Sequence, residues 1–490
     1  MTIGASPSAS VGRSGSATGV PGSAGPVRNL IIAMPQQFAG SLVGYPARVS
    51  FTAYCTAILV GGFLLTLPAA RAPDRPPIDL VDAFFTATSA CCVTGLVVRS
   101  TLHDFSPFGQ GVILLLMQLG GLGIMTITTL VAFQLGGPTS MRQRAVLSET
   151  LGIRPGGELR WVAVAVAVTV LVAEALGFLL LTVATWGTAE PTVVVWRAGF
   201  HAVSAFCNAG FALSDTSFMA DAGNLPVNAI LCGLVIIGGL GFPVIFDVGS
   251  RLWNREPLWE RLSTHSKLMF LGTGGLLVFG AVSFWLLEWE QSLAGQPLGT
   301  RILMGLFHST TCRTAGFNTV DYASLADATL FLSIILMAIG AGPCSTAGGF
   351  KVSTFMTLLV RGWTSFRGRE HANFFKRTIP PQAVERAAVT ALLFAVLAIA
   401  ALVAILVVEH RHGISDRPRW FLDCFFETIS ALGTVGLSTG ITPLLSNPGK
   451  LILVVLMLLG RLGPITVALA LSYEQRPRQT TYLEEGPLFG

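Results

Sequence analysis

Charge is scarce in this chain. Only 12% of its 490 residues are Asp, Glu, Lys or Arg, while 52% are hydrophobic, and that balance excludes an ordinary set of soluble domains. The eight cysteines form no CxxC pair and no metal-finger spacing, so they read as small apolar filler rather than a disulfide or metal framework. There is no phosphate loop, and the scattered GxG runs lie inside apolar stretches, the wrong context for a dinucleotide fingerprint. An intramembrane hydrolase or metalloenzyme would need a converging nucleophile, base or ligand set. His201, Cys207 and His308 are the only loose candidates, and the first two belong to a different short helix from the third. The chain is not expected to be an enzyme.

What the sequence does have is long apolar runs. Mean hydropathy is +0.67, and stretches able to span a bilayer recur throughout. From residue 43 one unit is expected four times: apolar helix, short amphipathic helix, Gly-bearing loop, apolar helix. The units cover 43–135, 158–252, 263–362 and 384–473, between a Gly/Ser/Ala/Pro-rich tail at 1–42 and a tail at 474–490. First spans near 46–68, 160–186, 266–288 and 386–408, and second spans near 108–134, 226–250, 328–360 and 448–472, predict eight crossings. Basic residues crowd one set of loops, including Arg142, Arg144, Arg154, Arg255, Arg261, Arg361, Arg367, Arg369 and Arg377. The positive-inside rule makes that side cytoplasmic and places both termini there.

The loops read SACCVTGL (89–96), SAFCNAGF (204–211), TTCRTAGF (310–317) and SALGTVGL (430–437), and their glycines recur 115, 106 and 120 positions apart. Each has a hydroxyl residue six positions before the glycine: Ser89, Ser204, Thr310 and Ser430. The helix before each loop, as in 80–92, spans about 18 Å at 1.5 Å per residue, too short to cross, so it must re-enter. Non-helical backbone at membrane depth is tolerated only inside protein or along a wet cavity. A cation losing its hydration shell needs replacement oxygens, and backbone carbonyls supply them without a charge that would hold it too tightly. The expected potassium-binding filter is therefore Val93–Thr94–Gly95, Asn208–Ala209–Gly210, Thr314–Ala315–Gly316 and Thr434–Val435–Gly436, of which the last repeats the first three residues of the potassium-channel TVGYG segment.

A second glycine repeat lies behind the first, in QLGGLG (118–123), IIGGLG (236–241), AIGAGP (338–343) and LLGRLG (458–463). Symmetry fails in two places. The third unit's second span is interrupted by Gly340, Ala341, Gly342, Pro343, Cys344, Ser345, Thr346, Ala347, Gly348 and Gly349, followed by Lys351; a simple kink is the competing reading. In the fourth unit Arg461 stands where Gly121 and Gly239 stand. A mid-span arginine normally faces a bundle interior or water, and here it is expected to project toward the pore and oppose cations; snorkelling or a structural ion pair are the alternatives.

With these four loops and GPCSTAGGFK (342–351), the chain resembles the Trk/Ktr/HKT superfamily of potassium transporters, nearest to bacterial Ktr membrane subunits, over about residues 43–473. The resemblance implies an all-α fold of four pore-helix units around one pore in the bacterial plasma membrane. It further implies potassium uptake, an intramembrane gating loop below the filter, a homodimer, and control by a separate cytoplasmic nucleotide-binding ring. Glycine at 95 resembles potassium-selective members; serine there accompanies sodium transport in some plant relatives. Potassium is expected as substrate, sodium as an activator stays open, and a sodium- or proton-coupled symporter is the alternative function. Paired membrane carboxylates or inverted repeats would mark such a symporter, whereas these units run in parallel.

Overall fold

A computed structural model describes residues 46–122, 159–375, 377–412 and 418–463. Both predicted tails, the later part of the predicted 108–134 and 448–472 spans, and the basic run at Arg142, Arg144 and Arg154 lie outside these residues.

Among the described residues fifteen α-helices carry the architecture. In chain order they are α1 (Pro46–Thr66), α2 (Leu80–Cys91), α3 (Pro107–Gly121), α4 (Leu159–Ala184), α5 (Pro191–Phe206), α6 (Leu225–Leu240), α7 (Phe242–Trp253), then a single turn, α8 (Leu258–Arg261). There follow α9 (Thr264–Glu288), α10 (Leu298–Thr311), α11 (Asp327–Ala338), α12 (Val352–Phe366), α13 (Pro381–Arg411), α14 (Trp420–Gly433) and α15 (Asn447–Leu462). The described strands are one two-residue pair, Asn373–Phe374 with Arg377–Thr378. Among the described residues three helices are long and apolar enough to cross a membrane: Val164–Ala184, Thr264–Glu288 and Pro381–Arg411. The shorter apolar helices include Ser50–Thr66 and Leu80–Cys91.

Local chemistry sets where the helices after the loops begin. α3, α6 and α15 each open with a side-chain N-cap and a proline in the first turn: Ser106 accepts from the Gly109 amide, Asn224 from Val227 and Ser446 from Gly449. α11 lacks such a cap. Instead the Glu288 carboxylate, at the end of α9, accepts from the Ala326 amide at 3.0 Å and from the Thr329 hydroxyl. Glu409, ending α13, does the same for Ser446, accepting from its amide at 3.1 Å and its hydroxyl at 2.6 Å. These two carboxylates are buried, and each ties the end of one apolar helix to the start of another, at the positive end of its dipole.

The expected continuous helix over 226–250 is corrected. α6 stops at Leu240, Gly241 takes φ +92°, and α7 leaves at 99°. Gly241 must bend because a Cβ there would meet the Pro343 carbonyl oxygen at 2.4 Å. The predicted interruption of 328–360 is larger than a kink: α11 ends at Ala338 and helix resumes only at Val352.

Candidate functional site

The four helices preceding the glycine loops, α2, α5, α10 and α14, end within a few residues of each glycine, and their C-terminal carbonyls concentrate partial negative charge there. The loops share a backbone. In each, the residue two before the glycine is left-handed, with φ +56° at Val93, +57° at Asn208, +70° at Thr314 and +51° at Thr434. The glycine follows at φ +92°, +71°, +78° and +92° for Gly95, Gly210, Gly316 and Gly436. Non-glycine residues in that region are uncommon and cost about 1–2 kcal/mol each, and Val93, being β-branched, is the least suited.

The glycines close a ring. A Cβ on Gly95 would lie 2.5 Å from the Ala209 carbonyl oxygen, and one on Gly210 would lie 3.0 Å from that of Ala315. Gly316 meets the Val435 oxygen at 2.6 Å, and Gly436 returns to Thr94 at 2.0 Å. Each loop thus touches the next in chain order, through the carbonyl just before the neighbour's glycine. The second glycine series serves the same centre from behind: Gly120, Gly238 and Gly460 would each place a Cβ 2.0–2.1 Å from a carbonyl in the last turn of the preceding short helix, those of Cys91, Phe206 and Leu432. Gly340 departs, packing on the Gly348 carbonyl instead.

The shared hydroxyl holds in three loops and fails in one. Ser89 and Ser430 accept from the amides of Gly95 and Gly436 at 3.1 Å, and Ser204 donates to the Phe211 carbonyl at 2.8 Å. Thr310 turns back into its own helix, donating to Leu306, and Thr311 takes over by donating to Phe317. The third loop carries its hydroxyl one residue later because its amide pairing also changes, Ala315 bonding Thr311 where the others reach five residues back.

Directly behind the ring lies the 339–351 segment. Its ends are pinned together, the Gly340 amide donating to Phe350 at 2.7 Å and Val352 to Ala341 at 3.0 Å. Gly342 donates to the Gly239 carbonyl, and the Thr346 hydroxyl to Phe206 at 3.0 Å. Ser345 caps the turn by donating to Gly342 at 2.6 Å. Gly348 lies so near the fourth loop that a Cβ would stand 2.2 Å from the Thr434 Oγ1, and Gly349, at φ +68°, packs on Gly433. Cys344 is left-handed at φ +53°, and its carbonyl accepts from the Phe242 amide.

Two cations hold this segment. Lys351 does not stretch away from it: its Nζ donates to the carbonyls of Ala347 at 2.7 Å and Gly348 at 3.2 Å. Arg461 donates to the preceding carbonyl, Thr346, and also to the Gly120 carbonyl and, at 3.2 Å, to the Tyr54 hydroxyl. Three consecutive segment carbonyls are thus occupied by fixed positive charge. Among the described residues Arg461 donates to three neutral oxygens rather than to a carboxylate, and it turns inward rather than snorkelling.

Other polar residues brace the loops. His201 accepts from the Leu213 amide at 3.0 Å; Glu427 accepts from the hydroxyls of Thr442, at 2.8 Å, and Ser438. Arg313 points away from the ring to Thr273, donating to its carbonyl at 3.2 Å. Glu174 accepts from Gln118 at 3.0 Å and from the Cys207 thiol at 3.6 Å. Cys91, Cys92, Cys207 and Cys312 are buried free thiols rather than open to the ring. Sequence reasoning missed Tyr54, Glu288 and Glu409, because an isolated residue at the end or middle of an apolar helix carries no pattern.

The chain is similar to known proteins. The model of the TrkH family, described as a cation transport protein, matches residues 51–478. Ktr system potassium uptake protein B of Vibrio alginolyticus is 37% identical over 449 residues, 91% of this chain and 95% of that protein. Its namesake in Bacillus subtilis is 34% identical over 91% of this chain and 96% of its own length. The potassium/sodium uptake protein NtpJ of Enterococcus hirae is 35% identical over 89% and 95%. The crystal structure of the potassium transporter TrkH from Vibrio parahaemolyticus superposes with a TM-score of 0.66 at 20% identity, covering 86% of this chain and 85% of that one, and so shares the fold. The chain belongs to the TrkH family of cation transport proteins.

Proposed function

We propose that this protein takes up potassium across the plasma membrane through a filter built from the four glycine loops. Four units around one axis, making eight crossings with both termini cytoplasmic, form the pore. The observation that carries this reading is the closed ring of glycines, in which every loop meets its neighbour through a backbone carbonyl. Carbonyls of Val93, Thr94, Asn208, Ala209, Thr314, Ala315, Thr434 and Val435 supply oxygens in place of water, and the short helices aim negative dipole ends at the ion. No side-chain carboxylate is required. Potassium is the ion named for the Ktr relatives, and the potassium/sodium name of NtpJ allows sodium as a second ion.

The 339–351 segment acts as the gate. In the closed state Arg461 and Lys351 occupy the carbonyls of Thr346, Ala347 and Gly348, so an entering cation finds fixed charge of its own sign. Opening releases Thr346 from Arg461 and moves the segment, with Lys351, off the axis. Gly342, Pro343, Cys344, Ser345 and Gly349 shape the turn that makes this movement possible. A separate cytoplasmic nucleotide-binding ring drives it in a homodimeric assembly, docking on the basic loops, among them 361–386.

The test is ion uptake in cells that lack their own potassium uptake systems. Producing the full chain together with its regulatory subunit is expected to restore growth at low potassium and saturable potassium uptake. Growth restored only by sodium, or sodium uptake that exceeds potassium uptake at equal concentrations, would contradict the potassium reading.

A further inference from the structure

Arg461 reaches the gate segment from the last described helix, yet two of its three partners belong to the first part of the chain. The Tyr54 hydroxyl lies 3.2 Å from the arginine Nε, and Tyr54 itself is buried on α1 at 5% exposure. Its hydroxyl also lies 3.5 Å from the Gly120 carbonyl, the acceptor Arg461 uses through another nitrogen. A guanidinium is a planar fork with five donors, so partners on two of its edges fix its plane as well as its position. Tyr54 and Gly120 occupy those edges, and the remaining nitrogen is aimed at Thr346.

We infer that Tyr54 is a positioning residue of the gate: its hydroxyl holds the Arg461 guanidinium in the orientation that latches Thr346. This rests on the gate reading given above. Without the hydroxyl, Arg461 keeps its charge and its helix but loses one acceptor at membrane depth, where water is a poor substitute. The arginine then samples orientations that release the Thr346 carbonyl, and the closed state leaks. The filter ring is untouched, so ion preference stays as it was.

The experiment compares basal rubidium influx, per inserted molecule, in potassium-uptake-deficient cells producing the wild type, Tyr54→Phe, Arg461→Ala or both changes together. Tyr54→Phe is expected to raise basal influx about tenfold, the lower end of the scale for one hydrogen bond to a charged group. Potassium-over-sodium preference should not change, and the double variant should match Arg461→Ala alone, because Tyr54 acts through Arg461. A folding defect lowers influx and cannot mimic the rise. An unchanged or lowered influx in Tyr54→Phe, or effects that simply multiply in the double variant, overturns the role of Tyr54 while leaving the gate standing. If Arg461→Ala itself leaves basal influx unchanged, the gate reading fails and Tyr54's role with it.

Discussion

Gly436→Ala is expected to abolish potassium uptake. Two physical costs coincide at this position. The backbone sits at φ +92°, outside the regions an L side chain adopts readily, and the new methyl would stand 2.0 Å from the Thr94 carbonyl oxygen. The first cost is about 1–3 kcal/mol. The second cannot be relaxed by rotating a side chain, because the obstacle is backbone of the neighbouring loop. Either the fourth loop retreats or the first does, and in both cases the ring opens at the Gly95–Gly436 contact. A carbonyl ligand displaced by an ångström no longer replaces the ion's hydration. Uptake should therefore fall by at least about a hundredfold, the consequence of about 2.8 kcal/mol at 1.4 kcal/mol per factor of ten. Potassium flux per inserted molecule checks this, with membrane abundance measured in parallel. Uptake near the wild-type level would mean that the ring is not the ion path.

The second large effect is a gain. Arg461→Ala removes the donors to Thr346 and Gly120 and takes one of two fixed cations off the segment carbonyls, leaving Lys351. A hydrogen bond to a charged group contributes about 1.5–3 kcal/mol. Losing the latch to Thr346 should shift the closed–open balance by about tenfold to a hundredfold toward open. Basal rubidium influx should rise accordingly, and control by the regulatory subunit should weaken, since the latch it works against is gone. Influx that falls or stays level in correctly inserted protein would count against Arg461 as a barrier.

Much of this was legible in the sequence for one physical reason: the glycines are required by backbone. Gly95, Gly210, Gly316 and Gly436 all take positive φ and all touch a neighbouring carbonyl, so no larger residue fits, and the period survives in the text. Gly120, Gly238 and Gly460 are fixed by the close carbonyl approach alone. The 340–349 break was equally visible, because Pro343 and clustered glycine cannot continue a helix.

The features that were hidden depend on partners rather than local type. Val93 adopts a left-handed backbone that its β-branched side chain disfavours, which only the surrounding helix end and ring impose. Lys351 follows the break in sequence as a residue free to reach solvent would, but folds back onto Ala347 and Gly348. Thr310 matches the hydroxyl pattern and yet yields its role to Thr311, since the third helix ends in a different hydrogen-bond register. Gly241 belongs to an IIGGLG run that reads like QLGGLG, and only the approach of Pro343 explains the bend there. Tyr54 is one tyrosine in an apolar helix, and its meaning comes entirely from an arginine far along the chain.

The claim on which everything else depends is that the four loops together select the ion. The most direct measurement is the ratio of potassium to sodium uptake in Gly95→Ser and Gly316→Ser, each compared with the wild type at equal membrane abundance. A serine Cβ at Gly95 would press on Ala209 and Gly210, and one at Gly316 on Val435 and Gly210, so each change deforms the ring from a different side. The ring account predicts that potassium preference falls in both variants, with sodium uptake rising relative to potassium or total flux collapsing. Unchanged flux and unchanged preference in both variants would contradict it.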